Sequence, residues 1–381
     1  MLDHVVVGVQ RLDGLTGLRW WAALAVFGSH TVAITSAYAW VAWIGWTGVA
    51  FFYTLSGFVL AWSAPSRDTR SAFYRRRFAR IYPLHLVGLA LAIPVMYSAD
   101  GPLAGRPLLW APLLLAIVLL QAWFPFAPTI AYAANPADGS LSAEAFYYGL
   151  FPLLERASRP VRGWLALAVG GLVWPWLLAA GLAAAGQLSI ESTLAQVVMR
   201  SPIGALGLFL TGIGLSRAVL LGWRPRWSAL GACAILVLCV AALLVVPVFV
   251  PGSTEVVQFY LVFAFTAPAF AAIIASVACA ELAGRRGWLS GPRMVALGRW
   301  SFAFYLVHAT VLYGFRDLHD GPYEGPAALA VIALALALSV LSAALLHRYV
   351  EAPAERRLRR GGAIVDLRTS QPSASTTPTR G

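Results

Sequence analysis

The chain has 381 residues, of which 60% are hydrophobic and 12% charged, and its mean hydropathy is +0.74. A soluble domain of this size needs more polar surface, so the composition excludes an ordinary soluble fold. The formal net charge is +12, and all 28 basic residues are arginine. The arginines cluster between apolar stretches, which is typical of membrane orientation rather than of nucleic-acid binding. We therefore expect a lipid bilayer around the chain and no nucleic-acid partner.

Eleven apolar stretches follow one another, at residues 16–34, 44–62, 81–97, 107–124, 141–155, 164–185, 201–221, 228–250, 257–281, 297–313 and 326–349. With a cytoplasmic N-terminus, the positive-inside rule is satisfied throughout only if 107–124 and 141–155 together make one crossing. This predicts an all-α polytopic membrane protein with about ten transmembrane helices and both termini cytoplasmic, in the inner or plasma membrane. One of the two stretches is then re-entrant, broken or in-plane, and we expect it near the functional site.

The same pattern divides the chain into three parts. Residues 1–14 form a cytoplasmic N-terminal segment, 15–353 the membrane domain, and 354–381 a cytoplasmic tail. We expect the tail to be mostly disordered, because its polar composition cannot bury enough apolar surface to offset the entropy of ordering. The three cysteines lie inside apolar stretches without a ligand spacing, so we expect no metal site.

Two polar residues share one face of the first apolar stretch, Leu15–His30. Arg19 and His30 are eleven residues apart, which places them about 20° apart around a helix and about 16 Å apart along it. If Arg19 lies at a membrane surface, His30 lies near the midplane of a bilayer core about 30 Å thick. An ionisable residue at that depth indicates a functional site. The alternative is a neutral histidine packed between helices.

Arg77 and Arg80 lie in an arginine-rich segment before the third apolar stretch. Their i, i+3 spacing puts them on one helical face. Two guanidinium groups there would bind phosphates through paired hydrogen bonds. The alternative is an anchor to lipid headgroups that orients the helix.

A carboxylate, Glu144, enters the stretch that begins at Ser140. Such a group needs a cation or hydroxyl partners within a membrane. It would pair with or orient a histidine, or bind a hydroxylated ligand. The alternative is an acid at a helix start, with Ser140 or Ser142 as the N-cap.

Four further polar residues have simpler interpretations. His308 lies eleven residues past Leu297, again near mid-membrane, and is either a second active-site group or a packed histidine. Arg348 and Glu351, at i and i+3, predict an intrahelical ion pair. Ser56 lies beside a glycine and is attributed to close helix packing.

These residues suit either a membrane enzyme or a transporter, and their chemistry alone does not separate the two classes. Six motifs in order, however, resemble the acyltransferase type 3 family of integral membrane proteins, over about residues 11–353. The motifs are Leu15–His30 with its Arg-x10-His spacing, Gly48–Phe58, Phe73–Pro83 with Arg-x-x-Arg, Ser140–Tyr148, Leu297–His308 and Arg348-x-x-Glu351-x-Pro353.

The resemblance implies ten membrane helices and transfer of an acyl group, often acetyl, from acyl-CoA to a hydroxyl of a sugar-containing acceptor. Acceptors in the family include surface polysaccharides, glycolipids and glycosylated natural products such as macrolides. Acyl-CoA is then a co-substrate, and no tightly bound cofactor is expected. The competing class is a transporter or exporter of a glycosylated or acylated product, which typically shows paired broken helices in two related halves.

The resemblance also implies roles for individual residues. His30 is expected to act as general base on the acceptor hydroxyl, or as a nucleophile that forms an acyl-imidazole. Glu144 and His308 are expected beside it as further catalytic-site groups. Arg77 and Arg80 are expected to hold the CoA phosphates, with Arg19 facing the same cavity as His30.

Overall fold

The computed structural model describes residues 10–37, 43–64, 69–97, 110–127, 130, 135–189, 191–249 and 261–358. Within these ranges the chain is helical and has no strand. The helices are α1 (Asp13–His30), α2 (Gly45–Trp62), α3 (Arg70–Met96), α4 (Trp110–Ile117), α5 (Asp138–Ala157), α6 (Val161–Ala184), α7 (Thr193–Arg200), α8 (Leu206–Leu220), α9 (Ala229–Phe249), α10 (Val262–Leu282), α11 (Pro292–Arg316) and α12 (Gly325–Leu346).

Five of the described helices are long and apolar enough to cross a membrane: α3, α6, α10, α11 and the helical stretch Gly325–Leu358 that contains α12. Of these, α10 and α11 are mostly buried inside the bundle, whereas α6 and α12 lie mostly at its periphery. The all-α class with membrane helices is therefore confirmed. The count of ten crossings and the side of the membrane on which the termini lie stay predictions. Residues 359–381 of the predicted tail lie outside the described residues.

Glycine allows α8 to lie in backbone contact with two neighbours. A Cβ added at Gly212 would overlap the carbonyl oxygen of Thr54 in α2, and one added at Gly207 would meet Gly171 in α6. The geometry is antiparallel on both sides, because Gly57 of α2 abuts Phe209, and Gly214 abuts Ala168 of α6. Small residues permit such approaches between apolar helices, where no hydrophobic force favours association over lipid.

Helix α1 packs parallel to α11 along a contact that we call the seam, and glycine residues again set the distance between the two backbones. A Cβ at Gly298 of α11 would overlap the carbonyl oxygen of Thr16, and one at Gly17 would overlap that of Leu289, in the turn before α11. Further along the same seam, Trp20 meets Phe304 edge to face with ring centroids 5.0 Å apart. The close seam brings the polar face of α1 against α11.

The stretch 107–124 is the irregular one of the pair singled out by the charge pattern. In its described part, α4 ends at Ile117, Leu119 adopts a left-handed conformation with φ of 59°, and a 3₁₀ turn follows at Gln121–Trp123. The stretch 141–155 instead lies within the continuous 20-residue helix α5. Non-helical backbone at membrane depth needs polar partners within the protein.

Buried side chains connect this segment and the start of α5 to their neighbours. The amide of Gln121 donates to the carbonyl of Asp138 at 3.0 Å, and that of Asn135 donates to the carbonyl of Leu306 in α11 at 2.9 Å. Ser142 of α5 donates to the carbonyl of Leu119. The irregular segment is therefore tied to the first turns of α5, and Asn135, just before α5, ties the start of that helix to the middle of α11.

The glycine contacts of α8 generate a stability prediction. Gly212→Ala should lower the free energy of unfolding by about 1–3 kcal/mol, because the new methyl group is forced against the backbone of α2. Gly170→Ala is the matched control, since a Cβ there meets nothing within 4 Å; it should leave stability unchanged or raise it by up to about 1 kcal/mol through helix propensity. Thermal unfolding in detergent measures both, and equal midpoints would contradict the close packing of α8.

Candidate functional site

Two histidines from distant parts of the chain meet between α1 and α11. Nδ1 of His30, at the end of α1, lies 2.7 Å from Nε2 of His308, and the two rings are inclined by 17°. His308 is fully buried, whereas His30 is half-buried. The aromatic rings of Phe27 and Phe304 flank His308. His308 therefore lies beside His30 and shares a direct hydrogen bond with it, whereas its role as a second active-site group stays a prediction.

The surroundings of His308 assign the protons of this pair. Its Nδ1 faces the backbone carbonyls of Tyr305 at 2.8 Å and Phe304 at 3.2 Å, and carbonyl oxygens only accept hydrogen bonds. Nδ1 of a neutral His308 therefore carries the proton, and its Nε2 accepts one from His30. Nδ1 of His30 is then the donor, which leaves a lone pair on its Nε2.

Arg19 lies on the same face of α1 as His30, as its spacing predicts. Its Nε donates to the hydroxyl of Ser301 at 3.3 Å, and Ser301 lies seven residues before His308 on α11. Its guanidinium carbon lies 5.8 Å from the ring centroid of Phe52 in α2. Both polar residues of α1 therefore contact α11.

Glu144 is held by hydroxyl groups rather than by a histidine. Its Oε1 accepts from Tyr148 at 2.5 Å and from Ser56 of α2 at 3.0 Å. Helix α5 begins at Asp138 without a side-chain cap, so the interpretation of Glu144 as an acid at the helix start is wrong. Ser56, which the sequence analysis attributed to helix packing, donates a hydrogen bond to the carboxylate of Glu144.

Ser140 and Tyr305 lie between Glu144 and the histidine pair. Their hydroxyl oxygens are 2.5 Å apart, and the ring of Tyr305 lies 5.8 Å from that of His308. Both line a small cavity of about 40 Å³ together with Arg19 and Glu144. This is room for about one water molecule, so a ligand chain can enter only if these side chains move.

The two predicted phosphate-binding arginines have different surroundings. The guanidinium carbon of Arg77 lies 5.9 Å from the ring centroid of Phe73 and 5.8 Å from that of Tyr148. Arg80 instead pairs with Glu351, which is almost fully buried, and lies 3.6 Å from Glu355. Among the described residues no carboxylate pairs with Arg77, whereas the charge of Arg80 is balanced by Glu351.

Glu351 lies in a π-turn, His347–Glu351, at the end of α12. Its second oxygen lies 2.8 Å from Nδ1 of His347. The predicted ion pair between Arg348 and Glu351 is therefore wrong, because the wider turn directs the carboxylate inward to Arg80. A π-turn is a frequent feature of functional sites.

Sequence reasoning missed several of these contacts. Tyr305 lies inside the motif Leu297–His308, three residues before His308, but was assigned no role. A buried pair was missed as well: Nδ1 of His85 in α3 lies 3.4 Å from a carboxylate oxygen of Asp138 at the start of α5. Two features of the sequence were available as signals. Asp138 lies between the stretches 107–124 and 141–155, and His85 lies inside the apolar stretch 81–97.

Comparison with known proteins gives the class that the sequence motifs resemble. Residues 12–348 match the type 3 acyltransferase family, described as an acyltransferase domain. The chain belongs to this family. It is 35% identical, over 384 aligned residues, to the acyltransferase MdmB of Streptomyces mycarofaciens, and the alignment covers 92% of this chain and 94% of that protein. No solved structure matches the chain. It is therefore an acyl-transferring enzyme, and the transporter alternative is not supported.

The histidine pair predicts how this acyltransferase responds to changes at His308. His308→Leu should lower kcat about 10–100-fold, because His30 loses the acceptor that fixes its ring and tautomer. His308→Gln should keep most of the activity, since its amide oxygen can accept the same hydrogen bond. Steady-state transfer kinetics on variants with matched unfolding midpoints measure the difference. Equal kcat in the two variants would mean that the bond does not orient His30.

The Arg80–Glu351 pair of the acyltransferase predicts a coupling in stability. Arg80→Gln should lower the free energy of unfolding by about 3 kcal/mol, because it leaves a carboxylate buried without its cation. The Arg80→Gln/Glu351→Gln double variant should lose less than the sum of the single variants. Arg348→Gln, exposed on the same turn, is the control and should be neutral. Additive losses in detergent unfolding would show that the two side chains act independently.

Proposed function

We propose that this enzyme transfers an acyl group, in the first instance acetyl, from acyl-CoA to a hydroxyl of a sugar-containing acceptor. The acceptor class comprises surface polysaccharides, glycolipids and glycosylated natural products such as macrolides. The chain is proposed to cross the inner or plasma membrane ten times with both termini cytoplasmic. Acyl-CoA is a co-substrate, and no tightly bound cofactor is part of the proposal.

One observation carries this proposal: the hydrogen bond between Nδ1 of His30 and Nε2 of His308. It gives His30 a fixed ring orientation and a free Nε2 lone pair, which is what a general base needs. The backbone carbonyl of Tyr305 completes the arrangement by holding the proton on His308. A carboxylate fulfils this role in the Ser-His-Asp triad, whereas here a neutral imidazole and a carbonyl do so.

The proposed reaction begins when Nε2 of His30 takes the proton of the acceptor hydroxyl. The hydroxyl oxygen attacks the thioester carbonyl, the carbon–sulfur bond breaks, and the proton on His30 passes to the leaving sulfur. Ester and free CoA are the products. The same lone pair would serve in the alternative, in which His30 attacks the thioester and an acyl-imidazole then acylates the acceptor.

The remaining site residues support binding rather than proton transfer. Arg77 has no carboxylate among its described contacts and is proposed to bind a CoA phosphate. Arg19, about 16 Å along α1 from His30, is proposed to line the route of the donor between the phosphates and the reacting carbonyl. Glu144 contacts neither imidazole among the described contacts, and it is proposed to bind a hydroxyl or amide N–H of a ligand through the cavity that it lines.

The test is acceptor-dependent release of CoA from acetyl-CoA by purified protein in nanodiscs. A panel of sugars, polysaccharides and a macrolide identifies the acceptor. His30→Ala should lower the rate with that acceptor by about 10²–10⁴-fold, which is the usual contribution of a general base.

His319→Ala is the matched control, because His319 is exposed and lies outside the site. It should release CoA at the wild-type rate. If His30→Ala also released CoA at that rate, the base would have to be another residue. If folded wild-type protein released no CoA with any acceptor, acyl-CoA would not be the donor.

A further inference from the structure

The middle of α11 is bonded to the start of α5 at two adjacent residues. The hydroxyl oxygen of Tyr305 lies 2.5 Å from that of Ser140. The side-chain amide of Asn135, which is almost fully buried, donates to the backbone carbonyl of Leu306 at 2.9 Å. We call these two bonds the α5–α11 contact. Because it lies within one turn of His308, the helix that carries this imidazole is held by α5 as well as by α1.

The directions of the protons show what the hydroxyl of Tyr305 does. The hydroxyl oxygen of Ser140 lies 3.0 Å from the carbonyl oxygen of Ala137, which only accepts hydrogen bonds. Ser140 therefore donates its single hydroxyl proton to Ala137, and Tyr305 donates its own to Ser140. The phenol proton is thus held in a bond to α5 and is not directed at the imidazole of His308. Tyr305 contributes to the site through its position rather than through acid–base chemistry.

The start of α5 is itself fixed by buried hydrogen bonds. Oδ1 of Asn135 accepts from the backbone N–H of Ala137 at 3.0 Å, so both ends of this amide are bonded. A carboxylate oxygen of Asp138 lies 3.4 Å from Nδ1 of His85 in α3. Nε2 of His85 donates in turn to the carbonyl of Ala116 in α4 at 3.1 Å. The α5–α11 contact therefore attaches α11 to a support that is bonded to two further helices.

The rotation of α11 about its own axis decides whether the two imidazoles meet. The close contact at Gly298 sets the distance between α1 and α11, but it lies ten residues, about 15 Å, before His308. A rotation of about 10° moves a side chain that lies about 6 Å from the axis by about 1 Å. The 2.7 Å bond between His30 and His308 would then exceed hydrogen-bond length. Because Tyr305 and His308, at i and i+3, share a face, anchoring one fixes the other.

We propose that Tyr305 and Asn135 are positioning residues that fix the rotation of α11 and so keep His308 within hydrogen-bond distance of His30. The proposal rests on the proposed role of His30 as general base. It gives the side chain of Tyr305 a role separate from that of its backbone carbonyl, which holds the proton on His308.

The first experiment measures kcat of acyl transfer in two single variants. Tyr305→Phe removes only the hydroxyl that bonds Ser140. Asn135→Ser keeps a side-chain oxygen for the local turn but is too short to reach Leu306. Each should lower kcat about 3–30-fold, less than the roughly 100-fold effect of a 1 Å misplacement, because the other bond of the α5–α11 contact remains. In a His308→Leu background each should change kcat less than about 2-fold, since no bond between imidazoles is left to align.

Tyr147→Phe is the matched control. Tyr147 of α5 is fully buried and donates its hydroxyl to the carbonyl of Pro202 at 2.8 Å, a bond that does not involve α11. Its variant loses the same chemical group and should keep the wild-type kcat. Equal reductions of kcat by Tyr305→Phe in the wild-type and His308→Leu backgrounds would show that Tyr305 does not act through the histidine pair, which would overturn the proposal.

The second experiment observes the histidine pair directly and needs no turnover. With ¹⁵N-labelled histidine in nanodiscs, wild type should show a nitrogen–nitrogen coupling across the bond between His30 and His308, and His308→Leu should lack it. Tyr305→Phe and Asn135→Ser should weaken this coupling, whereas Tyr147→Phe should retain it.

The two experiments separate the positioning role from the reaction. A coupling of wild-type strength in both Tyr305→Phe and Asn135→Ser would overturn the proposal, because the bond would then form without the α5–α11 contact. If the coupling weakened as expected but His30→Ala transferred acyl groups at the wild-type rate, the positioning of His308 would stand. Only the proposed role of His30 as base would then be contradicted.

Discussion

The parallel packing of α1 against α11 is the constraint on which the candidate site depends. Because Gly17 and Gly298 have no side chains, the two backbones approach to contact distance near the start of the seam. This short distance lets the imidazoles of His30 and His308 meet directly at its far end. A larger residue at either glycine would widen the seam and separate the rings without touching the site itself.

The part of the site that could be predicted from sequence is the part that depends on one helix. Helical periodicity alone placed Arg19 and His30 on one face, because both residues belong to α1 and the spacing needs no knowledge of neighbours. That this face meets α11 could not be predicted, since 278 residues separate His30 from His308. Nearly every apolar helix here offers a surface able to pack against another, so a single sequence contains little information about which pairs form.

The same reasoning explains the errors. The i, i+3 rule for Arg348 and Glu351 assumes a regular α-helix, and the π-turn at His347–Glu351 breaks that assumption. Glu351 then faces Arg80, 271 residues earlier in the chain, which no local pattern indicates. The charge pattern predicts only that one of the stretches 107–124 and 141–155 is irregular, because it depends on the number of membrane crossings. The backbone conformation of the structure was needed to show that the irregular one is 107–124.

The distribution of charge differs between the histidine pair and the arginine-rich end of the bundle. Burying an ion in an apolar bundle costs several kcal/mol, whereas a neutral imidazole with both nitrogens placed near polar partners avoids most of that cost. The pair His30–His308, which ends on the carbonyl of Tyr305, makes its hydrogen bonds between neutral groups and so suits the interior. Arg70, Arg76 and Arg77 gather instead at one end of the bundle, where α3 begins, and line a cavity of about 430 Å³. The charged and uncharged parts of the proposed acyl-CoA donor would thus each meet a matching environment.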